Sequence, residues 1–505
     1  MCKSIIKFIF FVVLLLSTYA DDRPNILICI SDDQSYAHTG ANGDPVVNTP
    51  GFDRIAAEGV RFTRPCCDAP SCGPSRSAIL TGQHIWRLEE AGNIHSTLPS
   101  KFITYTELLK SAGYSVGYTG KGWGPGKIEA GGRQENPAGT LYKGRILKPI
   151  YKGIKNIDYA GNFEYFLETL PKDTPFCFWL GTSEPHRHYE KGSGVKSGKD
   201  PSKVRIPEHL PDNDIIRHDI LDYYLEVEHF DKHLSRAIWL LESKGKLENT
   251  IVVVTSDHGM PFPRAKASLY DSGTKVPLAI RWGKGIKNPG RTHSGFVNLS
   301  DLAPTILQAA GLKIPSMMTG KSLMSILSNE PYEKRPAYIA MERHDGCREG
   351  GKGYPCRAIR TADFLLIINF HPERWPSGDP DRENCSRYIP YGEVSSCPTK
   401  TLLMENSDSL KKFYDLSFSK RPAIELYHLK KDPGQIKNVA DSPEYQKVKN
   451  QLEQDLKSYL KKTKDPRLTG GYVLWDYYPY YGAYNSVKTR KKKWSVAPIP
   501  TEFGK

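Results

Sequence analysis

Residues 25–33 read NILICISDD, and this stretch decides the predicted architecture of the chain. Residues 25–30 are apolar and rich in β-formers, which is typical of a strand buried on both faces. The strand runs directly into Asp32 and Asp33, so two carboxylates stand at its carboxyl end. In open α/β sheets, sites form at the carboxyl ends of the strands. The stretch therefore predicts both a buried strand and the start of a functional site.

Three further predicted strands end in polar side chains. The segments 115–118, 176–181 and 250–256 are apolar, and helical patterns such as residues 221–244 separate them. This alternation predicts an α/β fold with a large, mainly parallel but mixed, central sheet flanked by helices. Because the carboxyl ends of parallel strands share one sheet edge, side chains far apart in the sequence are expected to converge. The side chains that follow these three strands are Lys121, His186, Asp257 and His258.

The pattern changes after about residue 345, which predicts a second structural unit. Short alternating segments there favour a smaller antiparallel sheet, with a helix at residues 445–461. The sequence thus predicts a catalytic domain at 21–345, an α+β subdomain at 346–470 and a Tyr-rich basic tail at 471–505. We expect the tail to be a loosely packed terminal arm rather than a substrate-contacting segment.

The first 20 residues are typical of a cleavable signal peptide. Lys3 and Lys7 precede or flank a short apolar run, and small residues follow at 18–20. We therefore expect a secreted or periplasmic protein, and no later stretch is apolar enough to predict a membrane span. The formal net charge of +14 favours a polyanionic partner. Export and the absence of a nucleic-acid motif in the sequence argue against nucleic acid as that partner.

Export also permits disulfide bonds. Two pairs of cysteines lie close together in loop-like sequence, Cys347 with Cys356 and Cys385 with Cys397. Each pair is a plausible local disulfide, although spacing leaves the connectivity open.

The segment Cys72-Gly73-Pro74-Ser75-Arg76, followed by SAILTG at 77–82, is the chemical centre of the sequence. It places a cysteine at a predicted helix start, where a thiolate and bound anions are both favoured. By itself the pattern predicts an anion site next to a nucleophile. The alternative is a structural cysteine, buried or bonded to Cys66 or Cys67.

C-x-P-S-R followed by A-x-L-T-G resembles the signature of type I sulfatases. The stretches LYDSGTKVP at 269–277 and ELY at 425–427 are also similar to that family, and the resemblance covers nearly the whole chain. Residues 184–187, 260–263 and 342–357 look most similar to the heparan N-sulfatase (sulfamidase) branch and its bacterial polysaccharide sulfatase relatives. The resemblance implies an alkaline-phosphatase-like sulfatase fold.

The resemblance also implies a modified nucleophile. In this family a formylglycine-generating enzyme converts the cysteine to formylglycine (3-oxoalanine), whose hydrate attacks the sulfur of a sulfate ester. Cys72 is therefore expected to be the precursor, and the modifying enzyme a partner during maturation.

Asp32, Asp33 and Asp257 are candidate metal ligands. Three carboxylates brought together repel one another unless a cation neutralises them, and hard oxygen ligands select Ca²⁺ or Mg²⁺. By resemblance these residues, with His258 and Cys72, hold one calcium ion. An imidazole is a less usual calcium ligand than an amide oxygen, so the alternative is that His258 hydrogen-bonds to the sulfate or to a water.

A sulfate ester needs positive groups around its oxygens, because charge moves to the leaving oxygen during hydrolysis. Arg76, Lys121, His186 and Lys266 match sulfatase positions. By resemblance Lys121 and Lys266 bind sulfate oxygens. His186 is the candidate general acid, since imidazole is well suited to proton transfer near neutral pH.

The sequence departs from the family at one position. Sulfatases usually read G-K-x-H after this strand, whereas Trp123 stands here in place of the histidine and cannot act as a base. The replacement is either another residue, such as His84, or calcium with water. The candidate sugar-binding residues are His344, Arg348, His371 and Trp123.

We therefore expect a sulfuric ester hydrolase that releases sulfate from a sulfated carbohydrate such as carrageenan, ulvan or a glycosaminoglycan. One alternative is a phosphoric or phosphonic monoester hydrolase of the same superfamily, and another is an N-sulfoglucosamine sulfohydrolase. A third alternative, a non-catalytic glycan-binding relative, conflicts with the complete set of expected catalytic residues.

Overall fold

The computed structural model describes residues 23–470, 472–483 and 490–501. The signal peptide expected at 1–20 lies outside these residues. Two β-sheets organise the described part of the chain, one of eight strands and one of four. Both units of the expected architecture are confirmed, namely a mixed central sheet and a smaller antiparallel one.

The large sheet has the strand order β4-β3-β5-β1-β6-β7-β2-β8. Its central strands β3, β5, β1 and β6 run parallel to one another, whereas β7 pairs antiparallel with both β6 and β2. Strand β2 was not predicted as a strand, although the helix before it was. The strands are β1 (Asn25–Ser31), β2 (Val60–Cys66), β3 (Ser115–Gly120), β4 (Thr140–Leu141), β5 (Phe176–Gly181), β6 (Thr250–Ser256), β7 (Leu278–Arg281) and β8 (Arg291–Asn298).

Strand β1 is apolar from Ile26 to Ile30 because the protein core covers both of its faces. Ile26, Ile28 and Ile30 pack into one hydrophobic cluster, and Leu27 and Cys29 pack into another on the opposite face. This alternation follows from the two-residue period of a strand. Burying an aliphatic side chain of this size stabilises the fold by about 1.5–3 kcal/mol.

Helices cover both faces of the large sheet. The longest helix, α6, begins at Asp214 and ends at Ser243, and it packs against both α1 and α4. The asparagine side chain at residue 213 caps its first turn by accepting the N–H of Ile215. The first nine α-helices of the described residues are α1 (Pro50–Glu58), α2 (Cys72–Thr81), α3 (Tyr105–Ser111), α4 (Tyr159–Thr169), α5 (Ser193–Lys196), α6, α7 (Asp271–Thr274), α8 (Leu302–Ala309) and α9 (Met324–Leu327).

The small sheet is antiparallel, in the order β12-β11-β10-β9. Its first strand precedes residue 345, and the domain boundary expected there stays a prediction. The strands are β9 (Ala337–Met341), β10 (Cys356–Arg360), β11 (Phe364–Asn369) and β12 (Ile424–His428). The remaining helices are α10 (Pro398–Glu405), α11 (Lys411–Phe418), α12 (Gln446–Lys462) and α13 (Pro466–Thr469).

The two expected local disulfides are not formed, because the four cysteines take other places. All four are buried and free. Cys356 lies on β10 and packs into the core of the small sheet. Cys397 caps helix α10 by accepting a hydrogen bond from the backbone N–H of Lys400. The side chains of Cys347 and Cys385 lie together around Gly392.

The described part of the C-terminal tail is packed against the body of the protein. Trp475, Tyr480 and Trp494 are 3–5% exposed, and the indole N–H of Trp475 donates to the backbone carbonyl of Glu89 at 2.8 Å. The expected loose arm is therefore wrong for these residues, because their aromatic rings gain more by burial than by remaining in water. No helix in the described ranges has the length and apolar character needed to cross a bilayer.

Candidate active site

The ends of β1, β3, β5 and β6 meet at one edge of the large sheet, as the sequence predicted. These strands are neighbours in the order β3-β5-β1-β6 and all run in the same direction. The cross-strand pairs Gly120–Gly181 and Ser31–Ser256 lie at their carboxyl ends. The segments that follow the four strands therefore begin at the same edge of the sheet. They supply the carboxylates, the lysine and the histidines of the site.

Helix α2 brings Cys72 to this edge. Ser71, in extended conformation, precedes the helix, and the Cys72 side chain is 1% exposed. Its Sγ lies 3.2 Å from Nε2 of His258 and 3.5 Å from Oδ1 of Asp32. The cysteine is thus a member of a polar cluster at the start of a helix.

Three buried carboxylates converge beside this cysteine. Asp32, Asp33 and Asp257 are each at most 2% exposed. Asp33 has a φ of 77°, a left-handed conformation that is unusual for a non-glycine residue. Its backbone N–H donates to Oδ1 of Asp257 at 3.1 Å, which ties the turn after β1 to the turn after β6.

Each carboxylate has a cationic partner. Lys121 Nζ donates to both oxygens of Asp32 at 2.6 and 2.7 Å. Lys266 Nζ donates to both oxygens of Asp33 at 2.8 and 2.9 Å.

Arg76 completes the pairing of cations with carboxylates. Its Nε donates to Oδ2 of Asp257 at 2.9 Å, and its Nη1 donates to the backbone carbonyls of Lys121 and Gly122. The fully buried guanidinium therefore joins helix α2 to the loops after β3 and β6.

The electrostatics of the cluster follow from this pairing. Burial disfavours the charged form of Asp257, but His258 and Arg76 overcome that effect and hold its pKa well below the usual range. Burial also disfavours the imidazolium of His258, yet Asp257, Cys72 and Asp33 raise its pKa to about 9. The site therefore keeps Asp257 ionised and surrounds it with positive charge.

The donor set fits a hard divalent cation. One ligand atom from each of Asp32, Cys72, Asp257 and His258 lies within 4.8 Å of the others, and Asp32, Asp33 and His186 form a second such group. Carboxylate oxygens supply two of the four ligand atoms in the first group and two of the three in the second, and such oxygens favour Ca²⁺ or Mg²⁺. Without a metal ion, the imidazolium of His258 and the neighbouring basic side chains balance the charge.

A cavity of about 530 Å³ opens above this cluster and gives it access to solvent. Cys72, Lys121, Lys266 and His186 all line it. His186 Nδ1 lies 2.8 Å from the backbone carbonyl of Arg187. Because a carbonyl can only accept, Nδ1 must carry a proton. Burial, followed by the charge of Lys266, lowers the pKa of His186, so the neutral imidazole is favoured in this structure.

Of the four candidate sugar-binding residues, the structure brings His344 to the cavity. Its Nδ1 lies 2.8 Å from Oγ of Ser71, directly before Cys72. Arg348 is buried outside the cavity lining, where it pairs with Glu393 at 2.7 Å. His371 also lies outside the lining and contacts Glu373.

Trp123 and His84 also lie outside the cavity lining. Trp123 is 5% exposed, and its indole N–H donates to Oγ of Ser77 within helix α2. His84 is enclosed between Asp68, at 2.7 Å, and the hydroxyl of Tyr459, at 2.8 Å. Neither position supports the role that the sequence suggested for it.

Seven titratable residues that line the cavity are not marked as site residues by the sequence. Most of them come from loops whose paths depend on distant packing. Arg187 and Asp345 alone had a signal, since they lie inside the 184–187 and 342–357 stretches that carried the resemblance. The seven residues are His95, Lys155, Arg187, His188, Asp345, Arg387 and Glu393.

Comparison with known families gives two matches. The sulfatase family model matches residues 24–312. The model described as "N-sulphoglucosamine sulphohydrolase, C-terminal" matches residues 261–379. Together they span both the central sheet and the first strands of the small sheet.

Curated relatives resemble the chain over most of its length. An ulvan-active sulfatase of Formosa agariphila is 26% identical and aligns with 89% of this chain and 82% of its own length. The N-sulphoglucosamine sulphohydrolase of Homo sapiens is 27% identical, with 88% of this chain and 91% of that protein aligned.

Solved structures show the same fold. One is a complex with D-glucosamine-2-N,6-O-disulfate, with a TM-score of 0.65, 22% identity and coverage of 89% of this chain and all of the other. A phosphonate monoester hydrolase of Agrobacterium radiobacter has a TM-score of 0.66 at 18% identity, with coverage of 88% and 97%. At such identities the likeness concerns the fold and does not choose between sulfate and phosphonate esters.

Proposed function

The chain belongs to the sulfatase family, whose model matches residues 24–312, and on that premise we propose that it releases sulfate from a sulfated carbohydrate. It is a sulfatase hydrolase, and its curated relatives include an ulvan-active sulfatase and an N-sulphoglucosamine sulphohydrolase. The observation that carries the proposal is the position of Cys72 in the floor of the cavity, where it contacts Asp32 and His258.

Cys72 is the proposed precursor of formylglycine, made by a formylglycine-generating enzyme during maturation. When the modification is present, its hydrate supplies the hydroxyl that attacks the sulfur. The start of helix α2 directs backbone N–H groups toward this position, which favours the negative charge of the substrate.

Asp32, Asp33, Asp257, His258 and the modified residue 72 are the proposed ligands of one calcium ion. The ion supplies positive charge next to the sulfate group. The buried carboxylate of Asp257 is held ionised, as its strongly lowered pKa indicates.

Lys121 and Lys266 are the proposed sulfate-binding residues, and Arg76 orients the site. Both lysines line the cavity while bonded to carboxylates, so an incoming sulfate group meets cations that are already in place. Such preorganisation lowers the cost of charge development in the transition state.

His186 is the proposed general acid for the leaving oxygen. In this structure its neutral form is favoured, and it must be protonated before it can donate at the vacant ring nitrogen. The negative charge of a bound sulfate ester favours that protonation.

The step that sets sulfate free has no histidine at the expected position. Trp123 donates to Ser77 within helix α2, and His84 is enclosed by Asp68 and Tyr459. We propose the other route expected from the sequence, in which a calcium ion held by Asp32, Asp33 and Asp257 would supply positive charge next to the departing sulfate.

We also propose export, on the basis of the signal peptide expected at residues 1–20. An N-sulfoglucosamine is the second candidate substrate, because the C-terminal family model of residues 261–379 belongs to enzymes of that description. An ester substrate is preferred, since the histidine usual after the family lysine is absent.

The test is sulfate release from defined sulfated oligosaccharides, an N-sulfoglucosamine, an aryl sulfate and an aryl phosphate. We expect release from at least one sulfated sugar and a preference for the aryl sulfate over the aryl phosphate. Cys72→Ala is expected to abolish release, whereas Cys67→Ala, at a buried free cysteine outside the cavity, is expected to retain it. Release by Cys72→Ala, or a large preference for the phosphate ester, would overturn the proposal.

A further inference from the structure

The C-terminal tail reaches the wall of the catalytic cavity. Tyr480 is 4% exposed, and its hydroxyl donates to the carboxylate of Asp345, a cavity-lining residue. The next residue, Tyr481, donates its backbone N–H to the carbonyl of His95 at 2.6 Å, and His95 also lines the cavity. Tyr480 and Tyr481 of the tail therefore bond to two residues that line the cavity, Asp345 and His95.

Buried contacts, rather than surface contacts, hold the tail in place. Arg343, which is 1% exposed, donates to the carbonyls of Tyr478 at 2.8 Å and Pro479 at 3.0 Å. The ring of Trp494 packs edge-on against Tyr480 at 5.1 Å. The position of the Tyr480 hydroxyl is thus determined by buried contacts, which is what a positioning residue requires.

The carboxylate of Asp345 connects Tyr480 to Arg387. One carboxylate oxygen accepts from Tyr480 and from the backbone N–H of Gly346 at 2.7 Å. The other oxygen lies 3.2 Å from Nε of Arg387. The Asp345 side chain is 4% exposed and that of Arg387 is 46% exposed, so a buried carboxylate holds a guanidinium that reaches solvent in the cavity.

The guanidinium of Arg387 lies on the cavity side of its contact with Asp345. Its Nη2 lies 3.3 Å from Nε2 of His95, and both residues line the cavity that contains Cys72. A planar guanidinium that is 46% exposed beside the cavity is accessible to a carboxylate or a sulfate group, whose geometry it matches.

Charge in the cavity favours an anionic ligand over a neutral one. Five lysine and arginine side chains line it, against three carboxylates. Among the residues that the structure describes, no acidic side chain pairs with the ammonium of Lys155 on this lining. Lys266 and Arg187 are paired with Asp33 and Asp219 behind the lining, so the ammonium of Lys155 is the positive charge that a glycan carrying only the scissile sulfate would leave unmatched. The five cations are Lys121, Lys155, Arg187, Lys266 and Arg387, and the three carboxylates are Asp32, Asp345 and Glu393.

We propose that Arg387 binds a second anionic group of the glycan, either a uronate carboxylate or a second sulfate, and that Tyr480 positions Arg387 through Asp345. The inference rests on the proposed function and names the class of its substrate. Arg387 contacts the substrate, whereas Tyr480 and Asp345 act through it.

The first test compares Arg387→Gln with the unaltered protein on four substrates. These are a sulfated oligosaccharide with a neighbouring uronate, its carboxyl-reduced counterpart, a disulfated oligosaccharide and an aryl sulfate. Arg387→Gln removes the proposed charged hydrogen bond to the second anionic group. We therefore expect kcat/KM to fall about 10- to 100-fold for the oligosaccharide, with a uronate or with a second sulfate, whose anionic group binds Arg387. The carboxyl-reduced sugar and the aryl sulfate are expected to change by less than about threefold.

Tyr480→Phe tests the positioning role. It removes the hydroxyl that holds Asp345 and keeps the buried ring, so KM for the anionic oligosaccharide is expected to rise about three- to tenfold while kcat is kept. A merely structural role would instead lower the rates on all four substrates together. Arg382→Gln, an exposed arginine of the same loop outside the cavity, and Tyr478→Phe, in the same tail segment, are the matched controls and are expected to be neutral.

A binding measurement separates this inference from the proposed function. Titration of the anionic and carboxyl-reduced oligosaccharides into Cys72→Ala protein, with and without Arg387→Gln, reports binding in the absence of turnover. If Arg387→Gln loses affinity for the anionic sugar but not for the reduced one, the inference is supported. This holds even if the unaltered protein releases no sulfate, a result that would refute only the proposed function. Equal affinity of both proteins for the anionic sugar, or an equal fall for the charged and the reduced sugar, overturns the inference.

Discussion

Replacing Lys266 by Met is expected to weaken catalysis and strengthen calcium binding at the same time. The Lys266 ammonium is 6% exposed and donates to both oxygens of Asp33 at 2.8 and 2.9 Å. It is therefore both a proposed sulfate-binding group and a competitor for a proposed metal ligand. Met keeps a side chain of similar length and removes only the charge.

The size of each effect follows from this geometry. Removing one preorganised donor to a developing charge costs about 10²- to 10³-fold in turnover. A cation that binds the same carboxylate as Lys266 Nζ would lie about 5 Å from it, where unit charges repel by about 3 kcal/mol at an effective dielectric constant of about 20. If screening removes half of that repulsion, the remaining half still weakens calcium binding about tenfold in the unaltered protein. Lys266→Met is expected to recover about this factor in calcium affinity.

The assay measures kcat/KM for an aryl sulfate and, separately, the calcium affinity of chelator-treated protein. The peptide containing residue 72 is checked by mass in each variant, so that incomplete modification is not mistaken for a catalytic defect. Lys275→Met is the matched control, because its ammonium lies over the ring of Tyr36, outside the cavity, and both readouts are expected to stay unchanged. Weaker calcium binding by Lys266→Met, or undiminished kcat/KM, would refute the reasoning.

Two stability predictions concern buried charge away from the reacting atoms. Burial, followed by the charge of Glu184, raises the pKa of Glu226 from 4.5 to about 9. The folded protein therefore holds a proton that the unfolded chain releases, and its stability falls as pH rises between these two values. Glu226→Gln is expected to remove that decline in thermal unfolding measured at pH about 5 to about 9, and an unchanged decline contradicts it. Arg357 is fully buried and bonds to Asp465 at 2.6 Å and Glu342 at 2.7 Å. Arg357→Met is expected to lower the free energy of unfolding in urea by about 3–5 kcal/mol, because Asp465 is left buried with its charge uncompensated. A loss below about 1 kcal/mol would show that this buried pair contributes little.

Local patterns in the sequence were sufficient for the four parallel strands β1, β3, β5 and β6 of the central sheet and for the side chains that follow them. Strand β1 is apolar from Ile26 to Ile30, where both of its faces are covered, and Asp32 and Asp33 follow it directly. Lys121 follows β3 and Asp257 follows β6, two other strands of the same parallel set. Once the strands are parallel and adjacent, these side chains must share one edge, so their convergence could be predicted without knowing any loop.

Residues outside these strand ends could not be placed from the sequence. Trp123 lies two positions after Lys121, yet its indole turns into helix α2 to reach Ser77. Arg348 looked like a sugar-binding residue, but its guanidinium pairs with Glu393 below the surface. Spacing along the chain does not report which way such a side chain points, because partners distant in sequence decide it.

The sequence by itself determined the class of fold, and it predicted Cys72 as the nucleophile position with a set of charges around it. These follow from short-range periodicity and from a motif of a few adjacent residues. Only the tertiary structure decided the substrate-facing wall, where Tyr480 of the tail orders Asp345 and, through it, Arg387. That wall joins segments more than 90 residues apart, since Tyr480 follows Arg387 by 93 positions. Its formation depends on the burial of aromatic rings by the whole protein, which no local pattern encodes.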